Sequence, residues 1–129
     1  MIVVDTSALM ALLLNEPEAD RCAATLEAEP DLLISAGTTA EAFIVASRRD
    51  LGAEMESLIR GLGFEIVDVT AACAARIAQV YARWGKGAHP AALNFGDCFA
   101  YDLAKQRGCG LLYVGDDFAR TDIVSVLRP

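Results

Sequence analysis

Met1-Ile2-Val3-Val4-Asp5-Thr6-Ser7-Ala8 near the start of the chain and Leu111-Leu112-Tyr113-Val114-Gly115-Asp116-Asp117 near its other end decide the fold. Each is a short apolar run that stops at a carboxylate. Runs of this length with no polar alternation suit strands buried on both faces, which is the pattern of a parallel sheet. Open parallel sheets take their ligands beyond the C-terminal ends of the strands. Asp5 and Asp116 stand at such ends.

Working outward, Leu32-Leu33-Ile34, Glu65 to Val69 and Ile123 to Val126 read as three further strands. Helical patterns lie between them. Thr6 or Ser7 can cap a helix running to about Asn15, and Glu18 to Glu29 carries Cys22 and Leu26 at helical spacing before Pro30 ends it. Thr38 or Thr39 opens a helix through Arg49, Glu54 to Leu62 stops at Gly63, and Thr70 caps Ala71 to Trp84. A breaker-rich loop, Gly85-Lys86-Gly87-Ala88-His89-Pro90, precedes a helix opened by Asn94 and closed by Gly108. Alternation of strands and helices predicts an α/β fold: a single domain over residues 1–129, about five parallel strands, helices on both faces.

The composition fits one globular domain, with 54% hydrophobic and 22% charged residues in a chain of 129. So high an apolar share in a small domain suggests that another chain covers part of the surface, as in a homodimer. No apolar run approaches the roughly 18 residues of a spanning helix. The first positive charge, Arg21, comes after Asp5, so no basic leader is read and a cytoplasmic protein is expected. Four widely spaced cysteines and one histidine, His89, offer too few soft ligands for zinc and read as reduced, packed thiols. The net charge of −7 weighs against nucleic acid, although divalent ions on converging carboxylates would offset part of it.

Glu41 and Asp97 join Asp5 and Asp116 as candidate site residues because they sit in helical patterns among Ala, Phe, Ile and Cys. Unpaired buried carboxylates are costly and repel one another, and a hard divalent cation with oxygen ligands relieves both problems. Each also has an ordinary explanation. Asp5 can cap a helix, Asp97 lies in a first turn where the helix dipole favours acid, and Asp116 and Asp117 suit a turn. Glu41 shares its stripe with Ile44 and Val45 rather than lying on a clean polar face. Asp102, beside Lys105 and Gln106, reads as solvated, and Asp122 as orienting the loop Phe118 to Thr121. His89 in its Gly/Pro loop has an ordinary structural reading, and the alternative is that Lys86 and His89 form a basic loop able to touch a phosphate.

Val3-Val4-Asp5-Thr6-Ser7-Ala8, Thr38-Thr39-Ala40-Glu41, His89-Pro90-Ala91 through Leu93-Asn94-Phe95-Gly96-Asp97-Cys98-Phe99, and Val114-Gly115-Asp116-Asp117-Phe118 together resemble the PIN domain. More narrowly they resemble VapC-type ribonuclease toxins of type II toxin–antitoxin pairs, over essentially the whole chain. The resemblance implies a Mg2+- or Mn2+-dependent endoribonuclease, a homodimer, and a cognate antitoxin as partner. It makes Asp5, Glu41, Asp97 and Asp116 an acidic quartet, with Thr6 or Ser7 as a hydroxyl neighbour. Asp102 departs from the small apolar residue usual there. The rival readings are a housekeeping PIN nuclease in RNA maturation and a non-catalytic binding module of the same fold. A haloacid-dehalogenase-like phosphatase needs a second acid where Ser7 stands, and a receiver domain needs an acidic pair that is missing.

Overall fold

Val3, Leu33 and Leu111 point to one face of a parallel sheet, while Ile2, Val4, Leu32, Ile34 and Leu112 point to the other. All are buried, so both faces need covers, which is why these runs carry no polar alternation. The computed structural model describes residues 1–127. The strands are β1 (Ile2–Val4), β2 (Leu32–Ser35), β3 (Glu65–Val67) and β4 (Gly110–Leu112), all parallel, in the order β3-β2-β1-β4. The α/β architecture is as predicted, with four strands where about five were expected. The missing one, Ile123 to Val126, is reduced to a parallel bridge from Ser125 to Leu111, with Leu111 N–H donating to Val124 at 2.9 Å. It lies outside β4 with Val124 exposed, so a longer ladder would bury little more apolar surface.

Helices α1 (Thr6–Leu13), α2 (Ala19–Ala28), α3 (Ala36–Ser47) and α4 (Gly52–Leu62) pack on the Ile2/Val4 face. Helices α5 (Ala71–Trp84) and α6 (Phe95–Arg107) pack on the Val3 face. Thr70 caps α5 as expected, accepting from Cys73 N–H at 3.1 Å, and the helix bounds match the sequence reading. Helices α4 and α6 stop at Gly63 and Gly108, whose φ of 70° and 61° side chains rarely adopt. Helix α3 begins earlier than the threonines suggested. Ser35 is its cap, accepting from Gly37 N–H, and Thr39 lies inside the first turns with its hydroxyl on the Ser35 carbonyl. Among the described residues no helix is long and apolar enough to cross a membrane.

Asp102 corrects the sequence reading. It is 4% exposed rather than solvated, because α5 crosses α6 at this point and covers it. Arg76 reaches over and donates to both carboxylate oxygens, Nε at 2.8 Å and an Nη at 3.2 Å, and the Cys73 thiol adds a third donor. Asp122 accepts from the Tyr101 hydroxyl and from Lys105, so it ties the tail of the chain to α6. Removing one partner of a buried pair is worse when the survivor cannot reach water. Arg76→Ala should therefore lower the melting temperature more than Asp102→Asn, since the Arg76 side chain is already one-third exposed. Equal losses in thermal melts would show that Asp102 gains solvent when its partner is removed.

Candidate active site

The strand order reverses direction between β1 and β4, since the chain leaves β1 toward β2 on one side and returns to β4 on the other. Such a switch point opens a crevice at the C-terminal strand ends. Asp5 is the first residue after β1, and its backbone N–H pairs with Leu112 of β4 at 3.0 Å. It caps α1 through its Oδ2, which accepts the Ser7 N–H at 3.0 Å and the Ser7 hydroxyl at 2.7 Å. The other oxygen, Oδ1, is buried without a hydrogen-bond partner. Asp5 thus does the ordinary capping job with one oxygen and leaves the other unused. A buried unpartnered carboxylate oxygen is uncommon and asks for a ligand or a proton.

Ser7 also locks the crevice. Its oxygen accepts the Val114 N–H at 3.0 Å, fastening the start of α1 to the residue before Gly115. Gly115 has φ 100°, so the chain can turn sharply there into Asp116 and Asp117. Asp97 approaches from the third position of α6, where its Oδ2 accepts the Asn94 N–H at 2.9 Å, and it is 8% exposed. Glu41 comes from the second turn of α3, half-buried, with Oε1 accepting the Thr6 hydroxyl at 2.7 Å. Its carboxylate lies over Gly96, so closely that a Cβ added at Gly96 would collide with it.

The electrostatics tie these groups together. Burial pushes the Asp5 carboxyl up to about 7; its bonds to Ser7 pull it back, and the charges of Asp97 and Glu41 raise it further. Burial is also the main cause for Asp97, raised to about 6, with the Asn94 amide opposing and Asp117 and Glu41 adding to the rise. The structure therefore brings Asp5, Glu41 and Asp97 into one field. From the turn after β4 it is Asp117 that acts on Asp97, while Asp116 is exposed one residue earlier with its carbonyl accepting from Ala119.

The chain is similar along nearly its whole length to known proteins. The PIN domain profile matches residues 2–124. The chain belongs to the PIN domain family. A protein described as VapC ribonuclease Mb0640, from Mycobacterium bovis, is 40% identical over 131 aligned positions, covering 99% of this chain and 100% of that one. The crystal structure of Mycobacterium tuberculosis VapC20, named as a sarcin-ricin loop cleaving toxin, shares the fold with a TM-score of 0.82 at 17% identity, covering 99% and 100% of the two chains. A toxin–antitoxin complex from Klebsiella pneumoniae gives a TM-score of 0.72 at 21% identity, covering 99% and 98%. The resemblance to VapC-type proteins read from the sequence is thus upheld.

Within this PIN domain the donor set is all oxygen, as a hard divalent cation requires. The orphaned Asp5 Oδ1, and the Asp5 and Asp97 carboxyls raised chiefly by burial with no cation beside them, are oxygen donors that fit such an ion. Among the described residues no group of three or more His, Cys, Asp or Glu side chains stands close enough together to hold a metal ion as placed. The cysteines are all free thiols, Cys22, Cys73 and Cys98 buried and Cys109 half-buried. Sequence reasoning named Thr6 and Ser7 as hydroxyl neighbours without assigning either a partner, and it did not single out Gly96. The signal for Gly96 was its place beside Asp97, where a small residue admits a second carboxylate.

Proposed function

We propose that the chain is a metal-dependent endoribonuclease that acts as the toxin of a toxin–antitoxin pair, with Asp5, Glu41, Asp97 and Asp116 as its acidic quartet. One observation carries this reading: the buried, unpartnered Asp5 Oδ1 at the β1/β4 switch point, next to two further carboxylates. The 40% identical relative named as a ribonuclease supports the activity. Asp5 and Asp97 are the proposed ligands of Mg2+ or Mn2+, with Glu41 and Asp116 completing the set and Asp117 contributing charge at the same mouth. Bound there, the ion supplies Lewis acidity that makes water a nucleophile at neutral pH and offsets charge on the scissile phosphate.

The protein's own groups do the positioning. The Thr6 hydroxyl holds Glu41 Oε1, which leaves Oε2 free to orient the attacking water. Ser7 holds Asp5 Oδ2 and so leaves Oδ1 as the oxygen that would ligate an ion. Because the same serine oxygen takes the Val114 N–H, the Asp116–Asp117 turn is registered against Asp5. Fixed groups of this kind lower the reorganisation needed to reach the transition state. Cleavage of single-stranded RNA should vanish in EDTA and return with Mg2+ or Mn2+. Undiminished cleavage by chelated protein would sink the metal mechanism.

A second copy and an antitoxin complete the reading. We place the dimer face within the helices around Ala42 to Leu62 and Ala71 to Val80. Phe43 and Ile44 in the first of these are 37% and 56% exposed, with Phe95 nearby in chain order to the site at 65%. Ile44→Asp should therefore give a monomer in sedimentation at micromolar concentration, where the parent chain gives a dimer. For the antitoxin, a cleft of about 320 Å³ lined by Leu12, Leu26, Leu58 and Leu62 and rimmed by Glu27 and Glu29 suits an amphipathic helix with basic edges. An arginine from the same partner can pair with the carboxylates and exclude the metal. The toxin–antitoxin complex among the similar folds supports that partner.

A further inference from the structure

The longest interval without an acidic residue runs between Asp68 and Asp97, and it carries Arg76, Arg83, Lys86 and His89. In a chain of net charge −7 that segregation needs a reason. The structure folds this interval into α5 and the loop behind it, and the loop leads straight into α6, whose third residue is Asp97. The loop is built rather than slack. Lys86 N–H donates to Leu93 and Leu93 N–H to Trp84, each at 3.0 Å, while Ala91 N–H donates to His89 Nδ1 and the His89 ring stands edge-on to Trp84. Arg120, three residues after Asp117, reaches across and donates one N–H to the Pro90 carbonyl at 3.2 Å. Arg83 lies over the Trp84 ring at 4.5 Å, at the edge of a cleft of about 310 Å³ between α5 and α6.

We propose that Arg83, Lys86 and Arg120 form a basic arm that binds the phosphate backbone of single-stranded RNA and leads it into the acidic crevice. The proposal rests on the ribonuclease reading and names the surface that reading lacks. Arg76 and Lys105 border the same cleft but are occupied by Asp102 and Asp122. Arg83, Lys86 and Arg120 are exposed, and among the described residues none of them is ion-paired. Arg120 keeps most of its donors after serving Pro90. Charges more than roughly 10 Å apart are screened at 0.1 M salt, so a nucleic acid meets the local sign rather than the net charge. The Trp84 ring beneath Arg83 restrains the guanidinium, which reduces the entropy lost when it takes a phosphate.

The test is binding of a fluorescent single-stranded RNA to the chelated, non-cleaving protein, measured by anisotropy from 50 to about 500 mM KCl. A combined variant, Arg83→Gln with Lys86→Gln and Arg120→Gln, is compared with a control, Arg21→Gln with Arg107→Gln, two exposed cations outside both the arm and the proposed dimer face. At about 0.7 in slope for each phosphate contact on a single strand, three contacts should flatten the salt slope by about 2 and weaken binding about 100-fold near 0.1 M salt. The control should bind like the parent chain, and melting curves should show both variants folded. Should the combined variant disturb the loop, Lys86→Gln alone must still flatten the slope. Unchanged binding in the combined variant, or an equal loss in the control, overturns the arm. So does competition by polyglutamate as effective as by RNA, which would point to an acidic protein partner. If the parent chain cleaves in Mg2+ while the arm variant binds normally, the arm fails and the nuclease reading stands. If RNA binds through the arm but Mg2+ brings no cleavage, the nuclease reading fails and the arm stands.

Discussion

Asp5→Asn should abolish RNA cleavage and, in the metal-free protein at pH 8, raise the melting temperature. The two effects have one cause. Folded Asp5 titrates near 7, whereas an unfolded aspartate titrates near 3.9. Between those values the folded chain keeps a proton that the unfolded chain has released, so stability falls as pH rises through that window and stays low above it. A separation of this size corresponds to at most about 4 kcal/mol, of which relaxation around the site returns a part. Asparagine keeps the shape and the Ser7 contacts but carries no charge, so it escapes the penalty. Asp97, raised to about 6, adds a slope of the same sign that the substitution leaves in place. At pH 4 the two proteins should melt alike. Mg2+ should raise the melting temperature of the parent chain at pH 8 and leave Asp5→Asn nearly unmoved. Equal melting of the two metal-free proteins at pH 8 would show that Asp5 carries no buried charge. A variant that still cleaved RNA would remove Asp5 from the chemistry.

Gly96→Ala should reduce cleavage about 100-fold while leaving the fold intact. Gly96 is an ordinary helical position, and alanine is the better helix former, so the helix itself gains. The added methyl group, however, meets the Glu41 carboxylate, which must swing away from the Thr6 hydroxyl and from the α6 terminus. Displacing a positioning group by about an ångström is enough for a loss of that order. The readout that separates this from a folding defect is the split between turnover and binding. RNA affinity should hold while the turnover rate drops. Full activity in Gly96→Ala would mean that Glu41 has room to move and that its observed place is not the working one. A melting temperature lowered by many degrees would instead assign Gly96 to packing.

The strands show how far local patterning reaches. Ile2-Val3-Val4 and Leu32-Leu33-Ile34 are apolar on both faces, and the structure buries both faces, so pattern and environment agree. Ile123 to Val126, apolar but for Ser125, lies outside β4, and a one-dimensional pattern does not encode how many neighbours a strand acquires. Asp102 shows the reverse error. Its sequence neighbours Lys105 and Gln106 are exposed, yet α5 crosses over it and brings Arg76 from another helix. A charge looks solvated in sequence whenever its partner is distant along the chain.

The alternation of elements, the caps at Thr70 and the stops at Gly63 and Gly108 were legible in the sequence, because each depends on backbone chemistry within a few residues. So were the carboxylates Asp5, Glu41, Asp97 and Asp116 as candidates, since an acid in an apolar context is conspicuous wherever the chain goes. Only the tertiary structure decided that three of them, Asp5, Glu41 and Asp97, share one field, while Asp116 stands exposed in the turn after β4. It left Asp5 Oδ1 without a partner, set Glu41 between Thr6 and Gly96, and let Asp117 act on Asp97. Those are distances between elements far apart along the chain, set by sheet order and helix crossing, and a sequence fixes them only through the packing of the whole.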